Sequence, residues 1–197
     1  MKKFELTTES IETASGEKLF RIKALVSFDA VEAGELGGYV EKEENLSHEG
    51  NAWVYDNARV YGNAWVYDNA QVYGNAWVYG NARVYGNAWV YGNAQVYGNA
   101  RVYGDAQVCG DADIYDNSQK SSVDGFGSEN RTTTFFREKS GGVGVKCGCF
   151  YGTLDEFREK VRKTHGDSEI AQEYLAIADV EERRFKRVAK KGDSRCI

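Results

Sequence analysis

The sequence predicts a mainly β protein: a parallel β-solenoid with an N-terminal β cap and a small C-terminal α+β domain of order βββαα. Three observations carry this expectation. Residues 51–116 form eleven consecutive hexads without an insertion, from NAWVYD to DADIYD. Two apolar runs of strand character precede them, and after Asp116 the six-residue period gives way first to strand-like and then to helical spacing.

Each hexad reads as turn residue, Ala, variable residue, Val, Tyr, Gly, which is one short strand and one corner. Alternation places Ala and Val on one face, Tyr and the variable residue on the other. Gly takes positive φ freely and Asn tolerates it, so a Gly-Asn or Asp-Asn pair suits the corner. So short a strand cannot bury its own apolar face, and hexads must therefore wind into stacked coils. The inward set runs from Ala52 and Val54 to Ala112 and Ile114, and such small side chains imply a narrow tube.

The run Val60-Tyr61-Gly62-Asn63-Ala64 and its copies resemble the hexapeptide repeat of left-handed parallel β-helices. That resemblance implies left-handed winding with three hexads per triangular coil. One face then stacks Trp53, Gln71, Trp89 and Gln107; a second stacks Arg59, Trp77, Gln95 and Asp113; a third stacks Trp65, Arg83 and Arg101. Tyr residues form a ladder on each. Stacked like residues stabilise parallel solenoids, but so much outward aromatic surface also suits cover by another subunit or partner.

Taken in order, residues 1–36 read as the cap, with strands at Phe4–Thr8 and Leu19–Phe28, because an open solenoid end exposes unpaired strand edges. Residues 37–116 form the β-helix, its first coil irregular through Gly37-Gly38 and the stretch Glu41 to Gly50. The segment LFRIKAL…AGELGGYVEKEENLSHEGNAWVY is similar to the entry of bacterial and phage hexapeptide-repeat proteins often labelled acetyltransferases. In residues 117–190, strands are expected at Ser121–Ser128, Thr132–Arg137 and Gly144–Tyr151. A capping box at Thr153-Leu154-Asp155-Glu156 opens a helix with Leu154, Phe157 and Val161 inward. Asp167 caps a second, with Ile170, Tyr174, Ile177, Phe185 and Val188 inward, and residues 191–197 form a flexible tail.

Composition narrows the function classes. The chain has 197 residues, no proline and a net charge of −5. Residues 1–50 hold 6 basic and 11 acidic groups, the repeat 3 and 6, and residues 117–197 hold 16 and 13. The basic run Arg183, Arg184, Lys186, Arg187, Lys190 and Lys191 suits a helix C-terminus, so nucleic acid is not the expected partner. No stretch approaches a membrane span and MKKFELTTES lacks the apolar core of a signal peptide, which points to the cytoplasm and to no membrane partner. Cys147 and Cys149, even with His165 or Cys196, lack the paired spacing of a zinc site, so no metal and no cofactor are expected.

Catalysis finds little support. Resemblance to hexapeptide acyltransferases implies a histidine base, yet only His48, ahead of the regular coils, and His165, on the apolar side of its helix, exist. No catalytic residue is assigned. Candidate ligand or partner contacts are the outward Trp53, Trp65, Trp77, Trp89, Arg83 and Arg101, together with Ser128, Asn130 and Arg131 in the donor-rich loop GSENRTTT, where Arg131 could fork onto a phosphate or carboxylate. The same loop composition also describes an ordinary hairpin turn. The expected function is a non-enzymatic structural or binding protein, phage-encoded by resemblance, which uses an oligomeric, trimeric solenoid to present a C-terminal interaction module. The alternatives are sequestration of an anionic small molecule such as a nucleotide signal, and CoA-dependent acyl transfer. Partners are accordingly other copies of the chain, an unknown protein or an anionic small molecule.

Overall fold

The hexads fold into a β-solenoid. A computed structural model describes residues 1–193, with side chains through residue 188. Cys196 and the side chains of Lys190 and Lys191 lie outside the described residues. Two compact units are present, residues 1–111 and the chain from Ala112 onward.

In the first unit, β1 (Phe4–Glu12), β2 (Lys18–Ala24) and β3 (Leu36–Val40) make an antiparallel cap. Ten two-residue strands follow at six-residue intervals, from β4 (Trp53–Val54) and β5 (Arg59–Val60) to β13 (Gln107–Val108). Every third strand pairs in parallel, which gives three sheets: β4-β7-β10-β13, β6-β9-β12, and β1-β2-β3-β5-β8-β11. The cap shares the third sheet with the coils because Tyr39 of β3 pairs in parallel with Arg59. Within the regular coils partners lie eighteen residues apart, as Trp53 and Gln71 do. The irregular first coil spans twenty, pairing Tyr39 with Arg59 and Leu46 with Val66.

The inward Ala and Val positions from Ala52 to Val108 are buried. At the corners the division of labour differs from the sequence expectation. The sixth residue alone carries the left-handed turn, with Gly62 and Gly74 at φ 69° and Asp56 and Asp68 at φ 52° and 59°. Where Asp replaces Gly, its carboxylate accepts the N–H of the glycine one coil on, Gly74 at 3.0 Å and Gly86 at 3.1 Å. Asn does not supply the turn; its side-chain amides hydrogen-bond from coil to coil, Asn63 to Asn81 at 3.2 Å and Asn69 to Asn87 at 3.1 Å.

Each coil donates its backbone N–H groups to carbonyls of the next, so the carbonyls of the first coil need donors from elsewhere. For the first regular coil, Lys3 of the cap and Asn45 of the irregular coil supply them. Asn45, fully buried, donates its amide to Gly62 O at 3.2 Å and Ala64 O at 2.8 Å. Lys3, only 3% exposed, donates its ammonium to Gly50 O at 3.2 Å and Ala52 O at 2.8 Å, and lies 4.8 Å from the Phe28 ring centroid. Burial pulls the Lys3 pKa down to about 8.

The second unit begins with the short strand β14 (Asp113–Ile114), and the repeat ends where Asp116 turns extended and accepts Ser118 N–H at 2.7 Å. An antiparallel sheet follows in the order β15 (Lys120–Phe126), β16 (Arg131–Arg137), β17 (Val143–Cys147), β18 (Phe150–Thr153). The expected single strand Gly144–Tyr151 is thus a hairpin: Cys147 pairs with Phe150, and Gly148 at φ 54° makes the reversal. Helix α1 (Leu154–His165) starts at the predicted capping box, Thr153 and Glu156 bonding reciprocally. Helix α2 (Glu169–Asp193) is capped by Ser168 rather than Asp167, because Ser168 Oγ is the atom that accepts Ala171 N–H, at 3.3 Å. Its backbone stays helical through residues 191–193 of the expected tail; residues 194–197 lie outside the described residues. Phe135, Val145, Leu154, Phe157, Val161, Tyr174 and Phe185 build the core. No described helix is long and apolar enough to cross a membrane.

Candidate functional site

The coil register brings the variable residues into the three predicted columns, but the columns are not equally exposed. On β4-β7-β10-β13, Trp53 is completely buried, contrary to its expected outward role. The cap lays Phe4 and Phe28 edge-on against it, with centroids at 6.2 and 5.4 Å, so Trp53 is a core residue of the cap seam. Its indole N–H has no hydrogen-bond partner among the described residues. Trp89, one coil beyond Gln71, stays 39% exposed and meets Tyr73 edge-on at 6.1 Å.

On the sheet that carries the cap, Trp77 is half-buried beneath the Arg59 guanidinium, 4.9 Å from its ring. Beside it Tyr61, Tyr79 and Tyr97 stack nearly parallel at 5.0 and 4.9 Å. Leu19 and Ile11 pack over the upper end of this ladder, and burial raises the Tyr61 pKa to about 12.

The sheet β6-β9-β12 is different. Trp65, Arg83 and Arg101 are exposed at every level, and no cap segment crosses them. The Trp65 indole stacks on Tyr67 at 4.0 Å, and Tyr67, Tyr85 and Tyr103 stack in turn at 4.9 and 5.4 Å. Burial, then the neighbouring Tyr85, raises the Tyr67 pKa, while Arg83 and Arg101 pull it the other way. Two guanidiniums one coil apart therefore lie along an aromatic stripe. Such a surface can stack on planar groups and fork onto oxyanions.

Ser128, Asn130 and Arg131 belong to the second unit and are exposed, the first two in the turn between β15 and β16 and Arg131 at the start of β16. Asn130 adopts φ 49° and Arg131 pairs with Glu129 at 3.5 Å, so this loop is a hairpin turn whose arginine already faces a carboxylate. The histidines are occupied as well. His48 stacks on Phe4 at 4.4 Å, accepts Lys3 N–H on Nδ1 and faces Glu43 with Nε2 at 3.5 Å. His165 stacks on Tyr174 at 5.9 Å.

Sequence reasoning missed a charge cluster on the helices. Arg158 reaches Asp155 at 3.1 Å, Asp179 at 2.8 Å and Glu182 at 2.6 Å, and Lys186 joins Glu182 at 2.5 Å. Only Asp155–Arg158 and Glu182–Lys186 were legible from helical spacing. Arg137 was also missed, since nothing in its strand marks it.

Comparison with known proteins points to the same architecture. Residues 52–69, 70–81, 76–92 and 94–110 match the family described as the YdcK beta solenoid repeat. These stretches cover the regular coils and leave the cap, the irregular first coil and the second unit unmatched. No curated protein matches the chain.

Proposed function

We propose that this β-solenoid is a non-catalytic scaffold that binds through the open β6-β9-β12 face, with other copies of the chain as its first partner. The observation that carries the reading is the contrast between faces. Trp65, Arg83 and Arg101 are exposed together, whereas Trp53 and Tyr61 are covered by the chain's own cap. Aromatic residues and arginine are the types that dominate the energetics of protein contacts. In a trimer this stripe would be buried against a neighbour, and the second unit would serve as an interaction module repeated three times.

Native mass spectrometry on gently purified protein tests this. A trimer that dissociates when Trp65→Ser or Arg83→Glu with Arg101→Glu is introduced supports the reading; a monomer with unchanged behaviour in all variants removes it. The pair of guanidiniums beside Trp65 favours one further reading, retention of an anionic small molecule. In that case extra mass leaves on denaturation and is lost in the Arg83→Ala, Arg101→Ala variant while the subunit count stays the same.

A further inference from the structure

The second unit contains a cleft of about 490 Å³ between the β16–β17 turn, the start of α1 and the middle of α2. Its apolar lining comes from Val143, Leu154 and Phe185, and its charged lining from Arg137, Asp155, Arg158, Glu182 and Lys186. The two arginines are held differently. Arg158 is surrounded by Asp155, Asp179 and Glu182. Arg137 has no carboxylate partner among the described residues: Nη1 donates to Gly141 O at 2.5 Å, Nη2 donates to Phe185 O at 2.9 Å, and the guanidinium lies 5.2 Å from the Phe185 ring centroid. Partial burial depresses its pKa, as expected for a cation whose charge is met only by neutral groups.

Two carbonyls and a ring fix the plane of this guanidinium and leave other N–H donors uncommitted. A desolvated arginine with a fixed plane and no counter-ion is suited to a planar oxyanion, which it can grip with two parallel bonds. The N-terminus of α1, at Thr153 and Leu154, lines the same cleft and adds a favourable dipole. Against this stand Asp155 and Glu182 on the cleft wall; Glu182 is shared between Arg158 and Lys186, and Asp155 is largely in solvent.

We propose that this cleft binds a small organic anion, a carboxylate with an apolar body, whose oxygens meet the Arg137 guanidinium while the body lies on Val143 and the outer edge of Leu154. The site is independent of the solenoid face, so its failure leaves the scaffold reading untouched.

The test is a titration of the full chain with benzoate, followed by saturation-transfer NMR, with benzyl alcohol as the neutral counterpart and phenyl phosphate as a second anion. Benzoate is expected to bind at millimolar concentration or below, and benzyl alcohol much more weakly. Arg137→Gln should weaken benzoate by about tenfold or more, the loss expected for a charge-assisted pair. Equal binding of benzoate and benzyl alcohol, no binding of benzoate, or an unchanged affinity in Arg137→Gln would each overturn the proposal. If phenyl phosphate binds and benzoate does not, the cleft is a phosphate site and the carboxylate assignment is wrong.

Discussion

Lys3 offers the sharpest test of how the solenoid is closed. Its ammonium replaces the backbone donors that a preceding coil would have aimed at Gly50 O and Ala52 O. Burial lowers its pKa from 10.5 to about 8. Between these two values the unfolded chain binds more protons than the folded one, so stability must rise with pH there. Below about pH 8 both states are protonated and the full burial penalty stands; above about 10.5 it is gone. Two-state linkage gives a rise of about 2 kcal/mol from pH 7.5 to 9.5. Urea denaturation followed by tryptophan fluorescence reads the correct unit, because Trp53, Trp65, Trp77 and Trp89 all lie in it. The buried Lys120 of the second unit, also lowered to about 8, is common to wild type and a Lys3 variant and cancels in their difference. Lys3→Met should abolish this component, so that the wild-type protein gains about 2 kcal/mol on the variant over that interval. Parallel pH profiles for the two proteins would refute the claim that a buried ammonium caps the coil.

Two further substitutions probe packing. Trp53→Phe should leave stability within about 1 kcal/mol, because the buried indole N–H has no hydrogen-bond partner among the described residues, whereas Trp53→Ala should cost about 3–5 kcal/mol by opening a cavity under Phe4 and Phe28; calorimetry decides, and a large loss in Trp53→Phe would point to a bond on that N–H. Gly80 and Gly104 share positive φ, at 68° and 65°, but a methyl group at Gly80 would lie 3.0 Å from Gly98 N while one at Gly104 meets nothing within 4 Å. Alanine should therefore cost about 1–2 kcal/mol at Gly104 from conformation alone and clearly more at Gly80, as read from chemical denaturation.

The sequence by itself determined the coil. The strict six-residue period made the buried Ala and Val ladder legible, the resemblance to hexapeptide repeats implied the three columns, and helical spacing after the capping box placed Leu154, Phe157 and Val161 inward. These features are local: each hexad specifies its own strand and corner. Exposure is not local, and only the tertiary structure decided it. Trp53 and Trp65 sit in identical NAWVYD hexads, yet one is buried and the other open, because Phe4 and Phe28 from a distant part of the chain cover the first alone. The same holds for the arginines of the second unit. The loop of Arg131 read either as an anion holder or as a hairpin turn, and its arginine faces Glu129, while Arg137, unremarkable in its strand, lines a cleft and bonds only carbonyls among the described residues. Periodicity fixes which way a side chain points; what lies over it depends on segments tens of residues away.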